Sequence, residues 1–291
     1  MWAKAWFHAT GTTIFRLENT KWKHICNDGR SLVLGWSPDH FRTTIRMYSF
    51  GGKVYITARS ASRIDPGRID RDNITLIDLP MTSEWKDPDA TWNYYYKTAQ
   101  AFYVNNRLYI LGRLSRGVVT YVYDTKTGET YELDDVPEFS DYNGWSGSDH
   151  SLTIQTFVIG DKAYLVGRGP DGVCTYELEN EEWVSEKFNI IPWSDDYGWA
   201  YRSIHTFVLN NTGYIFGYGP DGPETYQLQN DNWVPLPFNL EIQEDSGSIQ
   251  VAVGNKAAYL IMPAHGNSLV LKFNTKNQWK KIGYLPYNSG K

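Results

Sequence analysis

The sequence predicts an all-β domain made of repeated four-stranded modules, and three observations lead to this prediction. The segment from Thr153 to Trp183 returns about fifty residues later, between Ser203 and Trp233, with Gly-Pro-Asp-Gly, Thr-Tyr and a final Trp at matching offsets. Short runs of β-branched and aromatic residues are bounded by Gly, Pro, Asn and Asp, which is the pattern of strands joined by turns. The 291 residues are enough for one large β domain with a substantial core.

Modules of this kind bury their faces by closing into a ring of blades, so the predicted fold is a β-propeller in a single domain over residues 1–291. The repeats align on a tyrosine that opens the second strand of each complete unit: Tyr55, Tyr109, Tyr164, Tyr214 and Tyr259. This alignment predicts six blades of four antiparallel strands, with the first blade incomplete, at approximately 1–28, 29–90, 91–139, 140–192, 193–243 and 244–291. A five-bladed ring with an extra hairpin is the competing count.

The first blade matches only the later part of the repeat. Residues Ala5 to His8 align with a second strand, Thr13 to Leu17 with a third, and Trp22 with a fourth. Because nothing aligns with the first strand, either this blade keeps three strands or the C-terminal tail after Trp279 pairs with it in an irregular way.

The second blade carries the largest departure from the period. Residues Thr43 to Tyr48 are predicted as its first strand and Val54 to Arg59 as its second. An insertion from Ser60 to Asp72 is then predicted to lengthen the hairpin before a third strand at Ile74 to Ile77.

The turn between the second and third strands reads Gly-Pro-Asp-Gly in two units and predicts a tight hairpin, because Pro presets φ and Asp and Gly tolerate the remaining corners. The same segment spells G-x-G-x-x-G at Gly167, Gly169 and Gly172. A dinucleotide site needs those glycines between a strand and a helix, whereas here a proline lies inside the motif and a strand follows. We therefore expect no nucleotide cofactor.

The repeat resembles the kelch repeat of β-propellers. The shared features are a hydrophobic strand ending in Gly, a tyrosine on the next strand and a tryptophan opening the last strand, as in Trp233-Val-Pro-Leu-Pro237. This chain has Gly112-Arg113, Gly167-Arg168 and Gly217-Tyr218 where kelch units usually carry a double glycine. The resemblance implies the fold, and by analogy an interaction scaffold, but a propeller fold alone assigns no activity.

Composition limits the partners and the location. A net charge of −5 argues against nucleic acid, and no apolar run is long enough to span a membrane. The N-terminus lacks the pattern of a secretion signal, so a cytoplasmic location is the default expectation, with secretion left open. The six histidines and the two cysteines, Cys26 and Cys174, show no metal-ligand spacing, so we expect no metal and two reduced, buried thiols.

A polar residue recurs on the first strand of every complete unit: Arg46, Gln100, Gln155, His205 and Gln250. The first strands are predicted to line the centre of the ring, where an unpaired buried polar group costs a few kcal/mol. These side chains are therefore expected either to bond one another, backbone and water around a tunnel, or to form a ligand site at its mouth.

The loops that enter the first strands carry tryptophans beside Gly, Ser, Asn or Asp. They include Trp36, Trp92, Trp145 and Trp199, the last followed by Tyr201. Loops on a rigid scaffold concentrate binding residues, and Trp and Tyr are preferred anchors in recognition surfaces. The alternative is that each Trp folds under its own loop and fills the gap between blades.

Three functions follow from these patterns. The leading hypothesis is a non-catalytic recognition module that binds a macromolecular partner, slightly favouring a protein, on the Trp-bearing loop face. The alternative is a multivalent lectin with a carbohydrate site at each blade loop. The third is a propeller hydrolase, lyase or isomerase acting at the tunnel mouth through Arg46 and His205, although the sequence lacks H-E-x-x-H, G-x-S-x-G and P-loop motifs.

Overall fold

The structure is a computed structural model, and it describes most of the strand-forming segments with the turns between them. The described residues are 2–8, 11–18, 21–28, 46–50, 53–59, 64–70, 73–76, 100–114, 116–140, 154–169, 171–193, 204–219, 222–240, 250–254, 256–264 and 267–286. They fall into two compact units, one of Met1–Leu114 with Val118–Leu133 and one of Ser115–Gly117 with Asp134–Lys291. A single domain over 1–291 stays a prediction.

The first unit contains three antiparallel sheets. The first sheet has three strands in the order β1-β2-β3, as expected for the incomplete blade. The other two sheets have four strands each, in the orders β4-β5-β6-β7 and β8-β9-β10-β11. The bounds are β1 Trp2–His8, β2 Gly11–Glu18, β3 Lys21–Asp28, β4 Arg46–Phe50, β5 Lys53–Arg59, β6 Ile64–Asp70, β7 Asn73–Leu76, β8 Gln100–Val104, β9 Arg107–Leu114, β10 Gly117–Asp124 and β11 Thr130–Glu132.

The second unit contains three antiparallel sheets of four strands each, preceded by a 3-10 turn at Pro137–Phe139. In each sheet the strands lie in chain order. The first strand of a sheet is called innermost, because the first strands of neighbouring sheets contact one another, and the last strand is called outermost. The bounds are β12 Gln155–Ile159, β13 Lys162–Gly169, β14 Gly172–Glu179, β15 Glu182–Val184, β16 His205–Leu209, β17 Thr212–Gly219, β18 Gly222–Gln229, β19 Asn232–Leu236, β20 Gln250–Gly254, β21 Ala257–Ala264, β22 Asn267–Asn274 and β23 Trp279–Pro286.

The predicted insertion in the second blade is wrong, because the segment from Ser60 to Asp72 contains the third strand itself, β6. The predicted third strand is in fact the fourth, β7. Pro66 and Gly67 gave this segment the signature of a turn. Pro66 pairs with Thr57 of β5, while the pairing with β7 begins only at Gly67. Because Pro66 has no partner in β7, its missing N–H removes no hydrogen bond between β6 and β7.

The aligned tyrosine occupies the third position of the second strand in every complete sheet. In three sheets it lies opposite the central phenylalanine of the innermost strand, and the two rings stack. The ring centroids are 4.8 Å apart for Phe102–Tyr109, 4.8 Å for Phe157–Tyr164 and 5.1 Å for Phe207–Tyr214. This repeated pair shows that the three sheets share one register between their first two strands.

Neighbouring sheets of the second unit share their cores. Phe157 and Tyr164 of one sheet cluster with Trp233 of the next, and Phe207 and Tyr214 cluster with Trp279. Trp233 and Trp279 are 2% and 9% exposed, so both outermost-strand tryptophans belong to these cores. Trp183 is only half-buried.

Candidate functional site

The predicted polar row marks a single structural position, the first residue of each innermost strand. Arg46 begins β4, Gln100 begins β8, Gln155 begins β12, His205 begins β16 and Gln250 begins β20. Every loop that leads into an innermost strand therefore ends at one of these residues. Among those whose side chains are described, Gln100, Gln155 and His205 are each half-buried.

Within the second unit the three polar residues begin neighbouring strands. Strand β12 contacts β16, and β16 contacts β20. Because the sheets repeat one another in register, Gln155, His205 and Gln250 lie at the same end of these adjacent strands. In the first unit β4 contacts β8, which relates Arg46 and Gln100 in the same way.

The alternation of side chains along the innermost strands explains why the polar residues are half-buried. Gln155 lies on the same face of β12 as Phe157. The Phe157 ring packs on Trp233 of the next sheet, with 6.1 Å between the ring centroids. His205 likewise lies on the same face of β16 as Phe207, whose ring centroid is 5.5 Å from that of Phe273. Each polar side chain thus lies at the end of an apolar seam between two sheets, where it can face both the seam and the entering loop.

The predicted aromatic anchors belong to those entering loops. Trp36, Trp92, Trp145, Trp199 and Tyr201 all lie outside the described residues. Their part in a binding face stays a prediction.

One tryptophan that the sequence analysis did not single out fills a gap between sheets. Trp193 is fully buried, its ring lies against Gly217, and its Nε1–H donates a hydrogen bond to Glu224 Oε2 at 2.7 Å. Phe139 has the same relation to Gly167 one sheet earlier. A signal was present in the sequence, because a proline precedes each of these rings by one or two positions, as Pro192 and Pro137.

Two groups near these seams, the Tyr164 hydroxyl and the Cys174 thiol, stay protonated at neutral pH. Burial, followed by the charge of Glu177, raises the pKa of Tyr164 to about 12. Burial also raises the pKa of the Cys174 thiol to about 11, so this free, half-buried cysteine is not a thiolate. The Cys26 side chain lies outside the described residues.

Among the described residues, no three His, Cys, Asp or Glu side chains are grouped so that they could hold a metal ion. Nor do these residues contain a helix with the length and hydrophobicity that a membrane span requires.

No protein-family model matches the sequence, and none of the curated proteins matches it either. The kelch-like assignment therefore stays a resemblance.

Solved structures do match the chain. A proposed 6-phosphogluconolactonase from Bacteroides fragilis superposes with a TM-score of 0.61 at 11% identity, covering 96% of this chain and 78% of that one. A proposed 6-phosphogluconolactonase from Bacteroides uniformis gives a TM-score of 0.58 at 11% identity, covering 96% and 80%. The β-propeller domain of the Trilobed protease from Pyrococcus furiosus, which has an open velcro topology, gives 0.51 at 9% identity, covering 97% and 82%.

The repeated four-stranded antiparallel sheets and these matches establish the class: the chain is an all-β protein of the β-propeller fold. Identities this low describe the fold alone. The number of blades in the ring stays a prediction.

Proposed function

We propose that this propeller is a carbohydrate-binding protein whose sites lie where the loops enter the innermost strands. The observation that carries the proposal is the half-buried polar residue at the start of these strands, seen at Gln100, Gln155 and His205. Each follows a loop that contains a tryptophan within about ten residues of the strand, so an aromatic ring and a polar group recur together.

This combination has the chemistry that a sugar ring requires. A pyranose presents an apolar face of C–H groups and an edge of hydroxyl groups. An amphipathic aromatic ring covers the first, and an amide or imidazole, which both donates and accepts hydrogen bonds, pairs with the second. Specific sites commonly combine aromatic walls with a few placed polar groups.

The rigidity of the scaffold supports the same proposal. The stacked Phe–Tyr pairs fix the innermost strands two positions beyond Gln100, Gln155 and His205. Binding side chains held by such strands lose little conformational entropy when a ligand docks. A protein partner, the leading hypothesis from sequence, gains no support from the contacts of the described residues, and we place carbohydrate first.

A glycan array with the purified full chain tests the proposal. We expect one class of neutral glycan to be retained, and we expect the signal to fall by about tenfold or more when Trp145→Ala and Trp199→Ala are combined, because two stacking surfaces are lost. Tyr284→Ala serves as a matched control, since Tyr284 is an aromatic residue that is 53% exposed on the outermost strand β23. This variant should bind like the parent protein.

Two results would contradict the proposal. A silent array together with one stoichiometric protein partner in a pull-down would restore the hypothesis of a protein-binding module. Turnover of a sugar derivative that disappears with His205→Ala would establish an enzyme instead.

A further inference from the structure

The last sheet, β20 to β23, differs in charge from the rest of the chain. The sequence has 28 lysines and arginines against 33 aspartates and glutamates. Residues 246–291 contain six lysines, no arginine, no aspartate and no glutamate. The five of these lysines that the structure describes are Lys256, Lys272, Lys276, Lys280 and Lys281. One sheet of an acidic protein is therefore basic.

Most of these lysines lie toward one end of the sheet. Lys256 is in the turn between β20 and β21, and Lys276 is in the turn between β22 and β23. Because the strands are antiparallel, both turns are at the end away from Gln250, the first residue of β20. Lys272 and Lys280 lie directly opposite each other on β22 and β23. This surface is separate from the carbohydrate site proposed above, and the inference goes beyond that function.

The repeat shows that the fold does not require lysine at these positions. The residue opposite the aligned tyrosine is a glutamate in the sheet β12 to β15, a glutamine in the next sheet and Lys272 in the last. The residue that follows the outermost tryptophan is valine in the first two of these sheets and Lys280 in the last. Like charges directly opposite each other on paired strands are destabilising. An anion bound beside Lys272 and Lys280 would relieve this repulsion.

No carboxylate neutralises the five lysines within the described part of the chain. Elsewhere lysines do form ion pairs, as Lys162 does with Glu177 at 2.8 Å. In the last sheet, Lys281 Nζ donates a hydrogen bond to the Tyr284 hydroxyl at 2.8 Å, and Lys272 Nζ is 5.9 Å from the ring centroid of the aligned tyrosine. Neither contact removes the positive charge. A surface with one sign of charge attracts oppositely charged partners.

Two aliphatic side chains of the same sheet are also exposed. Val253 is 49% exposed just before the turn that holds Lys256, and Ile282 is 55% exposed directly after Lys281. Both are more exposed than any other large aliphatic residue that the structure describes. Lysines beside exposed apolar side chains are typical of protein surfaces that lie at a membrane interface.

We propose that this sheet binds the surface of a membrane that contains anionic phospholipid. The lysines contact the negative headgroups, and Val253 and Ile282 enter the interface between headgroups and acyl chains. A nucleic acid matches the surface less well, because arginine, whose planar fork suits individual phosphates, is absent from residues 246–291.

Co-sedimentation of the full chain with vesicles tests this proposal. The probes are vesicles of phosphatidylcholine alone and vesicles of phosphatidylcholine with phosphatidylserine, each at low and at high salt. We expect the protein to pellet with the phosphatidylserine vesicles at low salt and to be largely released at high salt, where exposed charges are screened. It should stay in solution with phosphatidylcholine alone.

Lys276→Gln should weaken binding to the anionic vesicles about fivefold, the contribution of one lysine near such a surface. Lys126→Gln is the matched control, because Lys126 has the same place in the hairpin of β10 and β11. The backbone N–H of each lysine donates to the side chain two residues earlier, Asp124 at 2.7 Å and Asn274 at 2.8 Å. The Lys126→Gln variant should bind like the parent.

Ile282→Ser should weaken binding without changing its dependence on salt. Its control is Val234→Ser, at an exposed aliphatic residue on the outermost strand of the preceding sheet, which should bind like the parent. Equal pelleting with both kinds of vesicle, no pelleting with either, or equal loss in the two lysine variants would overturn the proposal. Binding to heparin or to a duplex oligonucleotide without binding to vesicles would assign the surface to a soluble polyanion instead.

Discussion

At the residue scale, one hydroxyl group joins each pair of adjacent sheets in the second unit. Trp233 Nε1–H donates to Thr175 Oγ1 at 2.7 Å, and Trp279 Nε1–H donates to Thr225 Oγ1 at 2.8 Å. Both threonines are almost fully buried. The indole rings of Trp233 and Trp279 therefore pack in the seams with their only polar atom satisfied by the preceding sheet.

Thr175→Val should lower the free energy of unfolding by about 1–3 kcal/mol, because the Trp233 indole N–H is left without a partner in a buried site. The measurement is urea unfolding followed by circular dichroism. Thr175→Ser keeps the hydroxyl and should cost less. If Thr175→Val is as stable as the parent, or if Thr175→Ser costs more than Thr175→Val, the hydrogen bond is not what stabilises this contact.

Gly217 is the residue that admits the ring of Trp193. A Cβ at Gly217 would lie 2.5 Å from Cζ3 of that indole, so Gly217→Ala should destabilise the protein by about 1–3 kcal/mol through overpacking. Gly254→Ala is the control, since its Cβ would approach only the Ala257 carbonyl, at 3.7 Å. Thermal unfolding compares the variants. Trp193→Phe should be tolerated better in the Gly217→Ala background than in the parent, and additive losses would disprove the clash.

Glu177 makes the free energy of unfolding depend on pH. Its side chain is 3% exposed and pairs with Lys162 and Lys187, each at 2.8 Å. Burial acts to raise the pKa of Glu177, but the hydrogen bonds and charges of the two lysines outweigh burial and lower it. A carboxyl whose pKa is lower in the folded state stabilises the protein above its unfolded pKa, and this contribution is lost as the pH falls through the folded pKa.

We therefore expect Glu177→Gln to lower the free energy of unfolding by about 1–3 kcal/mol at pH 7 and by much less at pH 3. Urea unfolding of both proteins across that pH range measures the difference. Asp161→Asn, at an exposed turn, is the control and should show no such convergence. A destabilisation that is constant with pH would mean that packing, and not charge, accounts for the effect.

At the scale of the element, asparagine fixes the tight hairpins. The two-residue turns of four hairpins place both residues in the left-handed region: Asn105 and Asn106, Asn180 and Glu181, Asn210 and Asn211, Asn230 and Asp231. These are type I′ turns, whose twist matches that of the flanking strands. Asparagine opens all four because it tolerates positive φ better than other residues with a side chain.

Asn180→Ala should destabilise the β14–β15 hairpin by about 1–2 kcal/mol, because alanine at φ 49° has no compensating side-chain hydrogen bond. Asn180→Gly is the matched variant and should be neutral or slightly stabilising, since glycine adopts this conformation freely. Thermal unfolding distinguishes them. Equal melting temperatures for the two variants would show that the turn relaxes to another geometry.

At this scale, a strand can be assigned securely only when the strands that pair with it are known. The sequence predicted the Tyr positions and the Gly-Pro-Asp-Gly hairpins correctly, because turn chemistry and alternation are local. It missed β6, since Pro66-Gly67 resembles a turn until the neighbouring strands are known. Strand β7 is short and pairs only with Gly67 to Asp70, so Pro66 of β6 needs no backbone hydrogen bond to it.

At the scale of the whole molecule, the repeat makes stability a property of pairs of sheets. Phe207, Tyr214 and Phe216 of one sheet form a single core with Leu271, Phe273 and Trp279 of the next. A repeat whose modules contact their neighbours gains its stability from these interfaces. The two sheets should consequently open together.

Thr225→Val should therefore speed amide hydrogen exchange in both sheets that share this core, at β17 and at β21–β22, and not only around its own strand β18. Hydrogen exchange followed by mass spectrometry measures this, with Thr275→Val, in the exposed turn between β22 and β23, as the control. Faster exchange confined to β18 would show that the sheets open independently.

The sequence by itself determined the repeat, the all-β class, the aligned tyrosine and the polar residue on each innermost strand. These depend on residues close in the chain or on the period itself. The tertiary structure decided the Trp–Thr hydrogen bonds, which join residues 58 and 54 positions apart, and the packing of the Phe139 and Trp193 rings against Gly167 and Gly217. Contacts of that kind follow from how folded sheets pack on one another, and no local pattern in the chain encodes them.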